Sequence, residues 1–189
     1  MSAAASELRT RNLRTLGALA GLFLLPLAMA FFTYYGTDWR PARRVNHGVL
    51  ILPPRSLPQT ADAPFHGRWS LVYVGGGGCD SSCRESLYVM RQTRLALGKD
   101  MTRVGRVLLA SSDCCASAFL AREHPGLVVL DASGADARAL LGSFPIDSRE
   151  HTLFVVDPNG NLMMSYDARR DPRGLLEDLK KLLRLSHIG

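Results

Sequence analysis

The sequence lacks the motifs of most enzyme classes. It contains no Ser-His-Asp arrangement, no phosphate-binding P-loop and no carboxylates paired for acid–base chemistry. It has no internal repeat or low-complexity segment. Its 23 Lys and Arg outnumber its 17 Asp and Glu, but they form no stripe interleaved with aromatic residues, so nucleic acid is not an expected partner. The chemistry must therefore come from few groups, and the 4 cysteines among 189 residues are the first candidates.

Charge is absent from Thr15 to Thr37, and this stretch is almost wholly apolar from Leu16 to Tyr35. An apolar run of about 20 residues spans a bilayer as a helix. Arginines precede the run, which favours a cytoplasmic N-terminus, and aromatic residues gather at its far end as in a membrane interface. We predict a cytoplasmic segment at 1–14 and a transmembrane anchor at 15–37.

A cleaved signal peptide is the alternative for this segment. Ala28-Met29-Ala30 has the small-x-small form of a cleavage site. We favour the anchor because the apolar run continues past Ala30, and a cut there would leave an aromatic N-terminus. In either case the rest of the chain is exported to a compartment where disulfides form, which we expect to be the bacterial periplasm, beside the inner membrane. No transit peptide precedes the apolar run, so mitochondrial import is not expected.

The central stretch of the exported part runs from Gly75 to Cys83, with the sequence GGGGCDSSC. A buried strand at 70–74 leads into it and a helix at about 83–97 follows. Cys79 and Cys83 are four positions apart, so a helix start would put both sulfurs on one face and favour thiolates. Cys83 falls on the inward face of the helix, which makes Cys79 the more exposed thiol. Two thiolates either bind a soft metal or exchange disulfides, and their spacing does not decide between these.

Strands alternate with helices along the rest of the chain. We read residues 38–47 as a linker and 48–189 as one domain, in which alternation implies parallel strands. Asp157-Pro158-Asn159-Gly160 predicts a hairpin that forms an antiparallel edge. The predicted strands are 49–52, 70–74, 104–110, 127–130, 151–156 and 161–166; the predicted helices are 83–97, a short one capped by 111–113, 135–141 and one capped by Asp171.

Three features together resemble the SCO family: the N-terminal anchor, a C-x-x-x-C after a buried strand, and His151 opening a strand–DPNG–strand hairpin. The resemblance covers roughly residues 48–187 and the anchor. It implies an α/β thioredoxin-like fold with a central mixed sheet. It also implies copper bound by Cys79, Cys83 and His151, as Cu(I) or, with a further ligand, Cu(II). The implied role is a copper chaperone for cytochrome c oxidase, with oxidase subunits and other copper or thiol-redox assembly proteins as partners.

The chain departs from the family pattern beside the cysteines. Family members commonly have prolines there, whereas this chain has Asp80 and Arg84. The segment between Cys83 and His151 is also more compact.

Two other functions remain open. In a thiol-disulfide reductase that maintains cysteines of the oxidase copper site, Cys79 and Cys83 would be catalytic: Cys79 attacks, Cys83 resolves, and His151 only tunes the pKa. In a scaffold for oxidase subunits, the cysteines would be incidental.

Several other sulfur and imidazole groups are weaker candidates. Cys114-Cys115 follows the strand at 104–110, near the sheet end where Cys79 should lie. It forms either a second thiol pair that resolves or reduces the first, or two small residues that pack a helix start. Because a disulfide between adjacent residues is strained, we expect reduced thiols or no special role there. Of Met163 and Met164, at least one should face the core. The remaining histidines are expected at the surface: His47, His66, His124 and His187.

Overall fold

The computed structural model of the chain describes residues 2–37, 45–58, 65–112, 114–132, 134–145, 151–186 and 188. The chain divides into two compact units, Met1–Arg44 and Val45–Gly189. Helix α1, Ser2–Gly36, makes up the first unit and continues through Pro26. From Arg11 to Gly36 this helix is long and apolar enough to cross a membrane, and its side chains there are exposed. It is the single apolar N-terminal helix predicted from the sequence.

The second unit contains one sheet flanked by helices. Its strands are β1 (Val49–Ser56), β2 (Trp69–Gly75), β3 (Val104–Ala110), β4 (Val128–Asp131), β5 (Thr152–Val156) and β6 (Asn161–Asp167). Its helices are α2 (Ser81–Ala96), α3 (Ser117–Glu123), α4 (Ala135–Ser143) and α5 (Pro172–Leu185), and a 3₁₀ helix, Gly98–Arg103, joins α2 to β3.

The six strands form a mixed sheet in the order β1-β6-β5-β2-β3-β4. Strands β2, β3 and β4 run parallel, and the other pairings are antiparallel. The predicted thioredoxin-like α/β fold with a central mixed sheet is confirmed. The β5–β6 hairpin lies inside the sheet, however, and β1 takes the edge predicted for the hairpin.

Strand β1 explains that difference. Its predicted end at Pro53-Pro54 is wrong, because the strand continues to Ser56 with a shift of register between Leu50 and Arg55. Proline cannot donate a ladder hydrogen bond, so a strand that contains two prolines is tolerated at an edge. The sheet therefore places its proline-containing strand outside the hairpin.

Alternating side chains of β2 supply two separate cores. Trp69, Leu71 and Tyr73 pack on the face shared with α2 and α5, whereas Val72 and Val74 pack on the face covered by α4. Cys79 and Cys83 belong to the first of these cores. The two cysteines therefore lie in the apolar core that the sheet shares with α2 and α5.

Two local predictions are confirmed and one is wrong. The Asp157 carboxylate accepts the N–H of Asn159 and of Asn161, which closes the hairpin turn, and Asp171 caps α5 through the N–H of Gly174. Helix α3 begins at Ser117, not directly after residues 111–113, because the intervening chain bonds to the loop before α2 instead of winding into a helix. Asp113 lies outside the described residues.

Candidate thiol and metal site

The C-x-x-x-C motif lies at the carboxyl end of β2, across the start of α2. Asp80 is the N-cap of α2, and its side chain accepts the N–H of Cys83 at 2.9 Å. A carboxylate at this position satisfies one of the free donors of the first turn. Cys79 precedes the helix with φ of 48° and donates its N–H to the Gly76 carbonyl at 3.1 Å. Asp80, which departs from the family pattern, therefore starts the helix between the two thiols.

The two sulfurs form a disulfide, with Cα atoms 5.0 Å apart. Cys83 faces the core as predicted, with 1% of its surface exposed. Cys79, predicted to be the more exposed thiol, is buried as well, with 2% of its surface exposed. Cys115, Ala116 and Phe119 pack against the apolar cluster that contains both cysteines.

His151 reaches this motif from the start of β5. Its imidazole Nε2 lies 2.9 Å from Oγ of Ser82, which stands between the two cysteines in sequence. The other ring nitrogen, Nδ1, is buried and has no hydrogen-bond partner. The nearest carboxylate oxygen, Oε2 of Glu85, is 3.9 Å away, too far for a hydrogen bond. The structure thus brings all three predicted ligands to the first turn of α2 and leaves one buried imidazole nitrogen without a partner.

Cys79 and His151 also share an unusual backbone conformation. Among the described residues, only Cys79 and His151 combine a side chain with positive φ, 48° and 58° respectively. Left-handed backbone costs about 1 to 3 kcal/mol for residues other than glycine and concentrates at functional sites. The His151 carbonyl accepts the N–H of Ala168 at 2.8 Å, which helps to hold this conformation. Sequence patterns carry no signal for such conformations.

Whether this site can bind a metal depends on whether Cys79 and Cys83 are oxidised to a disulfide or reduced to thiols. Within the described part of the chain, no group of three His, Cys, Asp or Glu side chains is arranged to hold a metal ion. A disulfide provides no thiolate, and thiolates are the soft ligands that Cu(I) requires. Reduction would give two thiolates beside an imidazole whose Nδ1 is unpartnered. That combination fits Cu(I).

In the sequence, Arg84 stands out only as a departure from the family pattern. In the structure it makes two contacts at this site. Its Nε donates to the Cys79 carbonyl at 3.2 Å, and its guanidinium lies over the Phe119 ring at 4.6 Å from the centroid. Arg84 therefore joins the thiol loop to α3 and places a positive charge beside the cysteines.

The second pair of cysteines lies at the same sheet edge. The loops after β2 and β3 are joined by three backbone hydrogen bonds, from Ser111 to Gly75, from Gly77 to Ser112 and from Ala116 to Gly77. Cys114 and Cys115 stand within the second loop, and their sulfurs are joined to each other. Their predicted location near Cys79 is correct, and the expectation of reduced thiols stays a prediction.

Most other sulfur and imidazole groups lie where the sequence put them, except His124. Its ring is buried beside Arg106, and the pKa of His124 is lowered by burial and by the Arg106 charge. This burial was not predicted. The ring packs edge-on against Phe119, which is near it in sequence, whereas Arg106 lies on the distant strand β3. His47 contacts carboxylates of α5, His66 is exposed and Met164 is in the core, while His187 lies outside the described residues.

The fold and this site define a thioredoxin-like domain with a buried C-x-x-x-C pair at the carboxyl end of its central strand and an apolar helix before it. The family model described as "Transmembrane-like, thioredoxin-like, C-terminal domain" matches residues 69–186. Because this match covers more than half of the chain, the protein belongs to that family.

Solved Sco proteins share the fold. Apo Sco1 from Thermus thermophilus is 19% identical, with a TM-score of 0.59 over 76% of this chain and 100% of that one. Copper-bound yeast Sco1 is 14% identical, with a TM-score of 0.55 over 65% and 82%. Copper-bound ScoI from Arabidopsis thaliana is 18% identical, with a TM-score of 0.53 over 70% and 98%. The predicted SCO resemblance is thus confirmed for the fold. No match was found among curated protein sequences.

Proposed function

We propose that this protein is a membrane-anchored copper chaperone of the SCO type, which helps to metallate cytochrome c oxidase. The observation that carries this proposal is the His151 imidazole at the C-x-x-x-C motif, with a buried nitrogen that has no hydrogen-bond partner. The copper-bound Sco structures with the same fold support it. Residues 1–14 would be cytoplasmic, 15–37 the anchor in a bacterial inner membrane, and 48–189 the periplasmic domain after a linker at 38–47.

In this proposal copper is cargo. The thiolates of Cys79 and Cys83 and the neutral imidazole of His151 hold Cu(I), with Cu(II) accepted when a further ligand is added. The ion passes to the oxidase by ligand exchange with acceptor thiolates and imidazoles, so no substrate is converted. Because both cysteines are buried, the loop Gly75–Cys79 must move before an acceptor can reach them.

Copper stoichiometry of the full chain in detergent tests the proposal. The protein is reduced with a phosphine, loaded anaerobically with Cu(I), and desalted against a competing chelator. We expect about one copper per chain in the wild type, and loss of most of it in His151→Ala, because a two-thiolate site lacks the third ligand. His66→Ala removes an exposed imidazole and serves as the matched control. Full copper retention by His151→Ala would refute the three-ligand site.

A thiol-disulfide reductase is the second candidate, and the disulfide between Cys79 and Cys83 in a thioredoxin-like fold is the observation that favours it. The same variants separate the functions. A reductase keeps disulfide exchange in His151→Ala and loses it in Cys79→Ser, whereas a chaperone loses copper in both. A scaffold would still support oxidase assembly with either variant.

A further inference from the structure

The two pairs of cysteines differ in their access to solvent. Cys79 and Cys83 are buried in the core, with 2% and 1% of their surfaces exposed. Cys114 is exposed and Cys115 is half-buried. Both line an open cavity of about 490 Å³ with Leu120, His124, Leu127 and Asp131. A protein that supplies electrons can reach the second pair without opening the core, whereas it cannot reach the first.

The loops that carry the two pairs are also hydrogen-bonded to each other. Gly77, two residues before Cys79, donates to Ser112 at 2.6 Å and accepts from Ala116 at 2.7 Å, so its hydrogen bonds bracket Cys114-Cys115. Cys115 packs against the apolar cluster that holds Cys79 and Cys83. The guanidinium of Arg84, on α2, also lies over the ring of Phe119, on α3. Cys115 is thus the more buried member of the second pair and packs against the cluster that holds the first pair, whereas Cys114 is exposed.

We propose that Cys114 and Cys115 form a second redox pair that passes electrons from an external dithiol protein to the buried Cys79–Cys83 disulfide. This inference rests on the proposed function in one respect, because the buried pair must be reduced before it can bind Cu(I). It assigns the loop after β3 as the entry point for electrons and a reduced thioredoxin-like dithiol protein as the partner.

Each step is a thiol–disulfide exchange, so electrons and protons balance. A partner thiolate attacks the exposed Cys114, Cys115 leaves as a thiolate, and the partner's second thiol resolves the mixed disulfide. The Cys115 thiolate then attacks Cys79, the Cys79–Cys83 bond breaks, and Cys83 leaves as a thiolate that takes up a proton. Cys114 attacks Cys115, which restores the Cys114–Cys115 disulfide and releases Cys79. Two electrons and two protons have moved from the partner dithiol to Cys79 and Cys83.

Reduction kinetics test the relay in the oxidised full chain in detergent. Reduced thioredoxin is the protein probe, tris(2-carboxyethyl)phosphine is the small probe, and alkylation followed by mass spectrometry counts the free thiols at Cys79 and Cys83. In Cys114→Ser/Cys115→Ser, we expect thioredoxin to reduce the buried pair at least about tenfold more slowly than in the wild type. The phosphine should reduce the buried pair to completion in both proteins, and an unchanged circular dichroism spectrum should show that the variant is folded. Equal rates with thioredoxin would overturn the relay.

A trapping experiment tests the contact itself. Cys83→Ser/Cys114→Ser leaves Cys79 and Cys115 as the only thiols, and mild oxidation should join them within one chain. The control, Cys83→Ser/Cys114→Ser/Cys115→Ser/Ser143→Cys, places the second thiol on α4, which covers the opposite face of the sheet, and should give no such bond. Absence of the Cys79–Cys115 bond would also overturn the relay.

Copper binding separates failure of the relay from failure of the proposed function. Phosphine-reduced Cys114→Ser/Cys115→Ser should bind as much Cu(I) as the wild type, because the phosphine replaces the relay. Loss of copper from the reduced wild type would refute the chaperone and leave the kinetic result standing. Loss from the double variant alone would overturn the assignment of Cys114 and Cys115 to electron transfer.

Discussion

Asp178 on α5 accepts three hydrogen bonds at one carboxylate oxygen. The donors are the backbone N–H of His47 at 2.7 Å, that of Gly48 at 3.1 Å and the hydroxyl of Tyr166 at 2.8 Å. Burial, together with the hydrogen bond to Asp178, raises the pKa of Tyr166, so its hydroxyl remains a donor. A single residue therefore ties the chain before β1 to β6 and α5.

Replacement of Asp178 by alanine should destabilise the domain. Asp178→Ala leaves two N–H groups and the buried Tyr166 hydroxyl without their acceptor, and should lower the free energy of unfolding by about 2 to 4 kcal/mol. The neighbouring Glu177 is exposed and contacts only the accessible His47 ring, so Glu177→Ala should cost less than about 1 kcal/mol. Chemical unfolding of the full chain in detergent, followed by circular dichroism, measures both. Equal losses would contradict the role given to Asp178.

The glycine loop between β2 and α2 contains positions with different requirements. A Cβ on Gly75 would lie 2.6 Å from the buried Tyr73 ring, whereas one on Gly78 would meet nothing within 4 Å. Neither residue has positive φ. Packing thus requires glycine at Gly75, while Gly78 adds freedom of movement beside Cys79 without filling a packing role.

A pair of alanine substitutions separates these roles. Gly75→Ala should lower the free energy of unfolding by about 1 to 3 kcal/mol, because the Tyr73 ring has no room to move away. Gly78→Ala should leave stability unchanged or raise it by up to about 1 kcal/mol, since alanine restricts the unfolded chain. Unfolding of the two variants in parallel provides the comparison. A loss at Gly78 as large as that at Gly75 would show that packing also requires glycine at Gly78.

The whole molecule combines an apolar helix with a domain whose chemistry depends on thiols. Residues 11–36 can cross a membrane by length and composition. Under the proposed function, the domain lies outside the cytoplasm, and oxidation of the buried cysteines there would have to be reversed before Cu(I) could bind. The anchor would hold the domain beside a membrane-bound acceptor.

The intact mass of the protein from membranes tests the anchor against a signal peptide. We expect the uncleaved chain, retained in the membrane after alkaline carbonate extraction, because a cut after Ala30 would expose Phe31 at the N-terminus. Replacement of Ala28 and Ala30 by leucine should leave both results unchanged, since these residues would then have no processing role. A mature protein that begins at Phe31 and is extracted by carbonate would exclude the anchor.

The sequence by itself determined the features that depend on local patterns. The uncharged run from Thr15 to Thr37 predicts α1, alternating apolar segments predict the mixed sheet, and Asp157 and Asp171 predict a turn and a cap through bonds to residues a few positions away. The C-x-x-x-C spacing also places both thiols at a helix start, because helical geometry fixes neighbours four residues apart.

Only the tertiary structure decided what depends on contacts between distant segments. Cys79 is buried in an apolar cluster against which Cys115 and Phe119 pack, and His124 is buried beside Arg106. Neither Cys79 nor His124 lies in an apolar run. The contact of His151 Nε2 with Ser82 joins residues 69 positions apart in sequence, and it leaves the buried Nδ1 without a partner. The link between the two cysteine pairs rests on Gly77, whose bonds join loops from adjacent strands. Such contacts form when parallel strands bring their carboxyl ends together, and no local pattern encodes them.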